Sequence, residues 1–249
     1  MMTRRQWFIE GAAVVAVLMC WAGSALAQPF PGGLPRCQAN LNTCSANLGA
    51  CSTQLSACQA AAQQFPATGK TTCLNISGEV IPCQGTGQDG DIQAGATLSY
   101  TDNGDGTITD NNTKLVWEKK SSDGTIHDFH TVYTWADAFA VHVAGLNATN
   151  FAGHNDWRLP NVKELQSIVN YGDVGPGAAV STEFNNNCTA GITVLAGSCS
   201  AGSLTWSSTP NPVAGPPAKA LFVTFSDGRV DAVSQSNTFH VRAVRGGSP

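Results

Sequence analysis

The chain has 249 residues, only 12% of them charged, and its 17 acidic and 13 basic side chains leave a net charge of −4 with histidine neutral. So sparse a basic complement excludes a nucleic-acid surface built on Lys and Arg. The length suffices for one sizeable domain plus an extension, but hardly for two full domains.

The N-terminus reads as an export signal. Arg4 and Arg5 form a short positive stretch, Gly11 to Cys20 is an apolar run too short for an ordinary membrane span, and Ala25-Leu26-Ala27 supplies a small-residue cleavage pattern. Residues 1–27 are therefore expected to be a removed signal peptide. Thr3-Arg4-Arg5-Gln6-Trp7-Phe8 is a loose match to a twin-arginine signal, but an ordinary secretory signal explains it equally well. Met19 before Cys20 departs from the small residue a lipidation signal wants. Removing Arg4, Arg5, Glu10 and Cys20 leaves 11 basic residues, 16 acidic residues and eight of the nine cysteines, a mature charge of −5. The mature chain shows no second apolar span, so it is expected to be secreted, periplasmic or at the cell surface, without a transmembrane anchor.

Residues 34–65 repeat a leucine and a cysteine every seven positions: Leu34/Cys37, Leu41/Cys44, Leu48/Cys51 and Leu55/Cys58. That is a coiled-coil seam built half from thiols. Cysteines two helical turns apart stand roughly 10 Å from one another, so Cys37, Cys44, Cys51 and Cys58 must find disulfide partners on another helix. Two structures satisfy them. A continuous helix pairs each cysteine with its own copy in an even homo-oligomer, a dimer being the simplest; a hairpin turning near Asn47-Leu48-Gly49 pairs Cys44 with Cys51 and Cys37 with Cys58 in one chain. The unbroken heptad favours the first. A row of thiolates could instead hold Cu(I), but the arm has no C-x-x-C pair and no histidine.

Residues 66–96 are expected to be a linker stapled by a local Cys73–Cys83 disulfide, with Asn75-Ile76-Ser77-Gly78 at the turn. Gly85-Thr86-Gly87-Gln88-Asp89-Gly90 fits the G-x-G-x-x-G pattern of dinucleotide sites, but no helix is expected after it to receive a pyrophosphate.

From Thr97 the pattern is α+β with an antiparallel sheet and two helices. Leu98-Ser99-Tyr100, Gly106-Thr107-Ile108-Thr109 and Leu115-Val116-Trp117 read as strands joined at Asp102-Asn103-Gly104-Asp105 and Asn111-Asn112. The stretch Asp102 to Asp110 fails the EF-hand spacing, and a turn is preferred to a single cation site there. One amphipathic helix starts at the Thr134 cap and carries Trp135, Ala138, Phe139, Val143 and Leu146; another starts at the Asn161/Glu164 capping box, carries Val162, Leu165, Ile168 and Val169, and ends at Gly172. His127, His130, His142 and His154 lack a third metal ligand and read as surface or hydrogen-bonded histidines. Cys188 and Cys199 form a second expected local disulfide, followed by strands at 204–208, 221–225 and 239–245.

Several motifs occur in order: Asp102 to Asp110, Trp117-Glu118, Thr134-Trp135-Ala136-Asp137-Ala138, Asp156-Trp157-Arg158-Leu159-Pro160-Asn161-Val162-Lys163-Glu164-Leu165, Trp206-Ser207-Ser208, and Val241-Arg242-Ala243-Val244-Arg245-Gly246-Gly247. Together they make residues 97–247 resemble the DUF1566 family, also called the Lcl C-terminal domain after a collagen-like adhesin. The motifs are also similar to the wider C-type-lectin and formylglycine-generating-enzyme folds. The resemblance implies a C-type-lectin-like head in an exported, noncatalytic binding module, with sulfated-polysaccharide binding known for the adhesin member. Neither the calcium-binding tripeptides of sugar-binding lectins nor the C-terminal reactive cysteines of the enzymes are present. Lys114, Lys119, Lys120, Lys163, Lys219 and Arg229 are dispersed in sequence, which suits a polyanion poorly.

The expected function is thus adhesion or recognition of a glycan or cell-surface ligand by lectin-like heads on a disulfide-linked stalk, without a cofactor. A thiol-rich metal-handling protein and an enzyme with an unrecognised site are the alternatives. Trp206, Lys219, Asp227 and Arg229 are the candidate ligand surface, with the loops 172–203 and 209–219 as its setting, although the preferred reading makes Trp206 an ordinary core aromatic and Asp227-Gly228 an ordinary hairpin turn.

Overall fold

The computed structural model describes residues 65–172, 177–213 and 215–246. The expected signal peptide of 1–27 lies outside the described residues, as does the heptad arm with Cys37, Cys44, Cys51 and Cys58, except for Phe65.

The described chain begins with a small stapled unit. Strands β1 (Cys73–Leu74) and β2 (Val80–Ile81) pair antiparallel, and the Cys73–Cys83 disulfide closes them. Asn75 makes the turn, its Oδ1 accepting the N–H groups of Ser77 and Glu79. Contrary to the sequence expectation, a helix does follow the glycine-rich stretch: a single turn, α1 (Asp89–Ile92). It does not make a phosphate cradle, because Asp91 from that turn already accepts the N–H groups of Gly85 and Gly87.

Strands β3 (Tyr100–Asp102), β4 (Thr107–Asp110) and β5 (Leu115–Glu118) follow as an antiparallel meander. The Asp102–Asp105 stretch is a turn whose carboxylates serve the protein itself: Asp102 accepts from Gly104 and Lys119, and Asp105 from the amide and hydroxyl of Thr107. Asp110 likewise accepts from Asn112 and Thr113 at the next turn.

The first long helix is composite. α2 (Trp135–Asp137) begins at Thr134, whose hydroxyl accepts the Asp137 N–H; a π-helical stretch (Ala138–Val143) and α3 (Ala144–Ala148) continue it. The Ala144 N–H reaches back five residues to the Phe139 carbonyl. That wider turn re-aims the stripe. Ala138, Val143 and Leu146 are buried, while Phe139 stays at the surface with its ring edge-on to Trp135.

α4 (Val162–Ser167) starts with the full capping box, Asn161 accepting from Lys163 and Glu164 while Glu164 accepts from the Asn161 N–H. Arg158 grips the same Glu164 through two nitrogens at 2.7 and 2.8 Å, so one carboxylate caps the helix and anchors the preceding segment. The helix ends at Ser167, not at Gly172 as the sequence suggested. Ile168, in the turn that closes the helix, and Val169, bridged to Val180, are buried all the same.

β6 (Leu204–Pro210), β7 (Lys219–Thr224) and β8 (Val230–Ser234) form a second antiparallel sheet, and β9 (Val244–Gly246) returns to pair with β5. The described residues therefore hold three antiparallel sheets, two-, four- and three-stranded, instead of one, with few helices. The three-stranded sheet is covered on both faces. Ala220 and Phe222 of β7 join a cluster with Ala138, Val143, Leu159 and Trp206; Val223 joins another with Ile108, Trp117, Leu165, Phe184 and Val244. This period-two division puts a core cluster on each face of β7, the middle strand of its sheet.

Candidate functional site

β5 does not end in a solvated charge run. Glu118, Lys119, Lys120 and Ser121 are each at most 4% exposed. Glu118 receives four donors: Lys120 Nζ at 3.2 Å and His127 Nδ1 at 2.9 Å on one oxygen, His142 Nε2 at 2.8 Å and the Ala243 N–H at 2.9 Å on the other. Burial alone would raise its pKa. His142, Lys120 and the His127 hydrogen bond outweigh burial and hold the carboxyl well below its ordinary range.

His142 sits on the helix face beside Ala138 and Leu146 and is wholly buried. Burial lowers its pKa against the pull of Glu118. The neutral Nε2–H form fits the geometry, because Nδ1 is buried without a partner; an imidazolium would leave an unpaired N–H there.

Arg242, from the segment entering β9, closes the cluster. Its guanidinium donates to the carbonyls of Glu118 and Cys199 at 2.7 and 2.8 Å and to the Ser200 hydroxyl at 2.6 Å, and lies 5.3 Å from the Phe184 ring centre. Among the described residues, no carboxylate touches it. Burial brings its pKa down to about 10, with Glu118 opposing, so it remains charged at neutral pH. Burial also lowers the pKa of Lys120, which Glu118 and Asp128 oppose and Arg242 reinforces.

Lys120 and Arg242 share a small open recess, about 20 Å³ of room for a water-sized group, with Ser200, Thr205, His240, Phe129 and Phe225 among its walls. The 188–203 loop is held against this place by the Cys188–Cys199 disulfide and by the Cys199 N–H donating to the Lys120 carbonyl. His240 Nδ1 is buried and unpartnered.

The model of the Lcl C-terminal domain matches residues 106–245, more than half of the chain, from the start of β4 into β9. The chain belongs to the Lcl C-terminal domain family. No curated protein matches it. The motifs that carried the resemblance have structural work to do in this Lcl domain. Trp117-Glu118 supplies a core ring and the buried carboxylate, Asp156 pairs with Arg245, Arg158 with Glu164, and Arg242 ties β5 to the 188–203 loop.

The four candidate ligand residues are not gathered. Trp206 is fully buried, its Nε1 donating to the Tyr133 carbonyl and its ring stacked near Phe239, so it belongs to the core and not to a ligand surface. Lys219 opens β7, whereas exposed Asp227 and Arg229 lie in the turn beyond its other end, where Asp227 accepts the Arg229 N–H. A six-residue strand separates those ends by roughly 17 Å. Lys119 and Lys120, counted in sequence among the dispersed surface cations, are interior. Lys119 is 1% exposed and pairs with Asp102 at 2.7 Å.

His127 serves Glu118, and His130 pairs with Asp128 at 3.0 Å. Among the described residues, no group of three or more His, Cys, Asp or Glu is placed to hold a metal ion, and no helix is long and apolar enough to cross a membrane. Sequence reasoning missed the Glu118–Lys120–His142–Arg242 cluster. One signal was present: His142 lies at i+4 from Ala138 and i−4 from Leu146, squarely on an apolar stripe.

Proposed function

We propose that this protein is an exported, noncatalytic recognition protein: a C-type-lectin-like head at 97–247, a stapled linker at 66–96, and a heptad arm at 34–65 that joins copies through Cys37, Cys44, Cys51 and Cys58. The observation that carries the reading is the Glu118 cluster. Its carboxylate takes four donors and its Arg242 braces two backbone carbonyls, tying β5, the composite helix, the segment entering β9 and the 188–203 loop together, rather than converging on a reacting atom. Both local disulfides suit an oxidising compartment. A rigid scaffold presenting loops is a common basis for recognition, and an even oligomer would add avidity to weak heads.

Two measurements test it. Mature protein made in an oxidising compartment should migrate as an even oligomer on a nonreducing gel and as a monomer after reduction, with no free thiols. A monomer with internal bridges refutes the stalk, and four free thiols that bind Cu(I) refute the mechanical role of the arm. A glycan and cell-surface binding screen should return a ligand for the head; turnover of any ligand would refute the noncatalytic reading.

A further inference from the structure

We infer that the recess between Lys120 and Arg242 is a binding site for a single oxyanion group, a carboxylate or sulfate ester projecting from a larger ligand. The inference deepens the recognition reading and rests on it only for the larger ligand; the anion site stands or falls on its own measurement.

Charge is the first argument. Lys120 and Arg242 are both 4% exposed, and one carboxylate, Glu118, directly pairs with only one of them. The next acid, Asp128, acts on Lys120 from further away, but its oxygens are engaged by the Gly124 and His130 N–H groups and the His130 ring. Glu118 and Asp128 equal Lys120 and Arg242 in number, but among the described residues no carboxylate contacts Arg242, whose charge therefore has no direct counter-ion. Buried charges are ordinarily paired, and a bound monoanion would complete this pairing.

Hydrogen-bond capacity is the second. A guanidinium carries five N–H groups, and Arg242 uses three of them, on Glu118, Cys199 and Ser200. Two have no protein acceptor among the described residues. Lys120 uses one of its three. Thr205 adds a hydroxyl to the same wall, whereas the Ser200 hydroxyl is already spent on the Phe184 carbonyl; the Glu118 and Cys199 carbonyls fix the Arg242 guanidinium, so its remaining donors are preorganised. Phe129, Phe225 and Val241 line the rest of the wall and would lower the local dielectric around an ion pair. This is a place for a small anion with an apolar or neutral neighbour, not for a chain of charges.

The test is titration of the oxidised full-length mature protein with sodium acetate and sodium methyl sulfate, each against sodium chloride at equal ionic strength. Binding is read by amide chemical shifts and by thermal stability. One or both oxyanions should bind with Kd of millimolar order, shifting the amides of Ser200, Ala201 and Arg242. Which oxyanion binds more tightly identifies the group on the natural ligand. Lys120→Met keeps the other three donors of Glu118 and should weaken binding about tenfold, the loss of one charge-assisted hydrogen bond. Ala201→Phe fills the recess without altering any charge and should abolish binding, which keeps the test decisive if Lys120→Met fails to fold. Lys163→Met, on an exposed helix position, should leave Kd unchanged. Shifts scattered over the surface, equal responses to chloride, or unchanged affinity in Ala201→Phe would overturn the site. A negative glycan screen beside a positive titration would refute the recognition reading alone.

Discussion

Glu118→Gln isolates the central claim about the interior, because it alters charge and donor capacity while nearly conserving volume. In the native protein two donors converge on each carboxylate oxygen, from His127 and Lys120 on one side and from His142 and Ala243 on the other. A carboxamide offers one acceptor oxygen and an NH2 group. Whichever way it is turned, the NH2 faces two donors and Lys120 loses its only direct carboxylate. Breaking a buried charge pair in this way costs about 3–5 kcal/mol, most of it the penalty of the charge left unpaired. In a domain of this size each kcal/mol lowers Tm by about 2–4 °C, so the variant should melt about 6–20 °C below the native protein. Urea unfolding at pH 7 with an unchanged m-value is the assay. Adding Lys120→Met should recover part of the loss, since it removes the stranded charge, and the double-mutant cycle measures that coupling. A loss under about 1 kcal/mol, the range of an exposed ion pair, would refute the view that this cluster holds the elements together.

Stability should rise with pH below neutrality. The folded pKa values of His142 and His240 are lowered from 6.5 by burial, so the unfolded chain binds more protons; their contribution is complete above pH 6.5 and is lost as pH falls through that value. Glu118, held below 4.5, adds to the loss at more acidic pH, and each proton difference is worth up to about 1.4 kcal/mol per pH unit. His142→Gln should flatten the urea-midpoint profile between about pH 5 and 6.5, and an unchanged slope would refute the neutral buried histidine. Replacing Cys188 and Cys199 by serine opens a loop of 11 residues and should cost about 2–3 kcal/mol by chemical denaturation; a larger loss of anion binding than of stability would show that the bridge also positions the Arg242 acceptors. Asn161→Ala removes two hydrogen bonds from the start of α4 and should cost about 1 kcal/mol, measured the same way.

Local chemistry made the frame of the head legible. The Asp102–Asp105 turn, the alternation through Ile108 and Trp117, and the Asn161/Glu164 box each act over a few residues, and each appears where its residue types place it. What stayed hidden depends on distant segments. Glu118-Lys119-Lys120 looks like the solvated end of a strand until Arg242, 124 residues away, and the 188–203 loop cover it. The sheet was read as one because strand propensity does not report which neighbour a strand chooses; β9 crosses back to β5 while β6 to β8 pair among themselves. The π-helical stretch likewise escapes a 3.6-residue periodicity, which placed Phe139 inside. Trp206 is open to two readings in the sequence, of which the core aromatic is preferred and is the one observed. An aromatic beside a hairpin suggested a ligand platform, but its indole N–H and ring are both satisfied in the core.

Net charge, too, was informative at the wrong scale. A net charge of −4 argues against a surface that grips a polyanion through many Lys and Arg, and exposed cations lie on separate elements: Lys114 in the β4–β5 turn, Lys163 on α4, Lys219 at the start of β7 and Arg229 beyond its end. Lys120 and Arg242 are instead interior. A polyelectrolyte contact and a single buried ion pair differ in how salt affects them. Surface contacts weaken with ionic strength whatever the salt, as the screening length falls from about 30 Å at 0.01 M to about 3 Å at 1 M. A preorganised recess discriminates by shape and donor geometry. Binding of an oxyanion-bearing ligand to this head should therefore be displaced much more effectively by acetate or methyl sulfate than by chloride at the same ionic strength, as read by calorimetric competition. Equal displacement by all three would mean that diffuse surface charge, and not the Lys120–Arg242 recess, recognises the ligand.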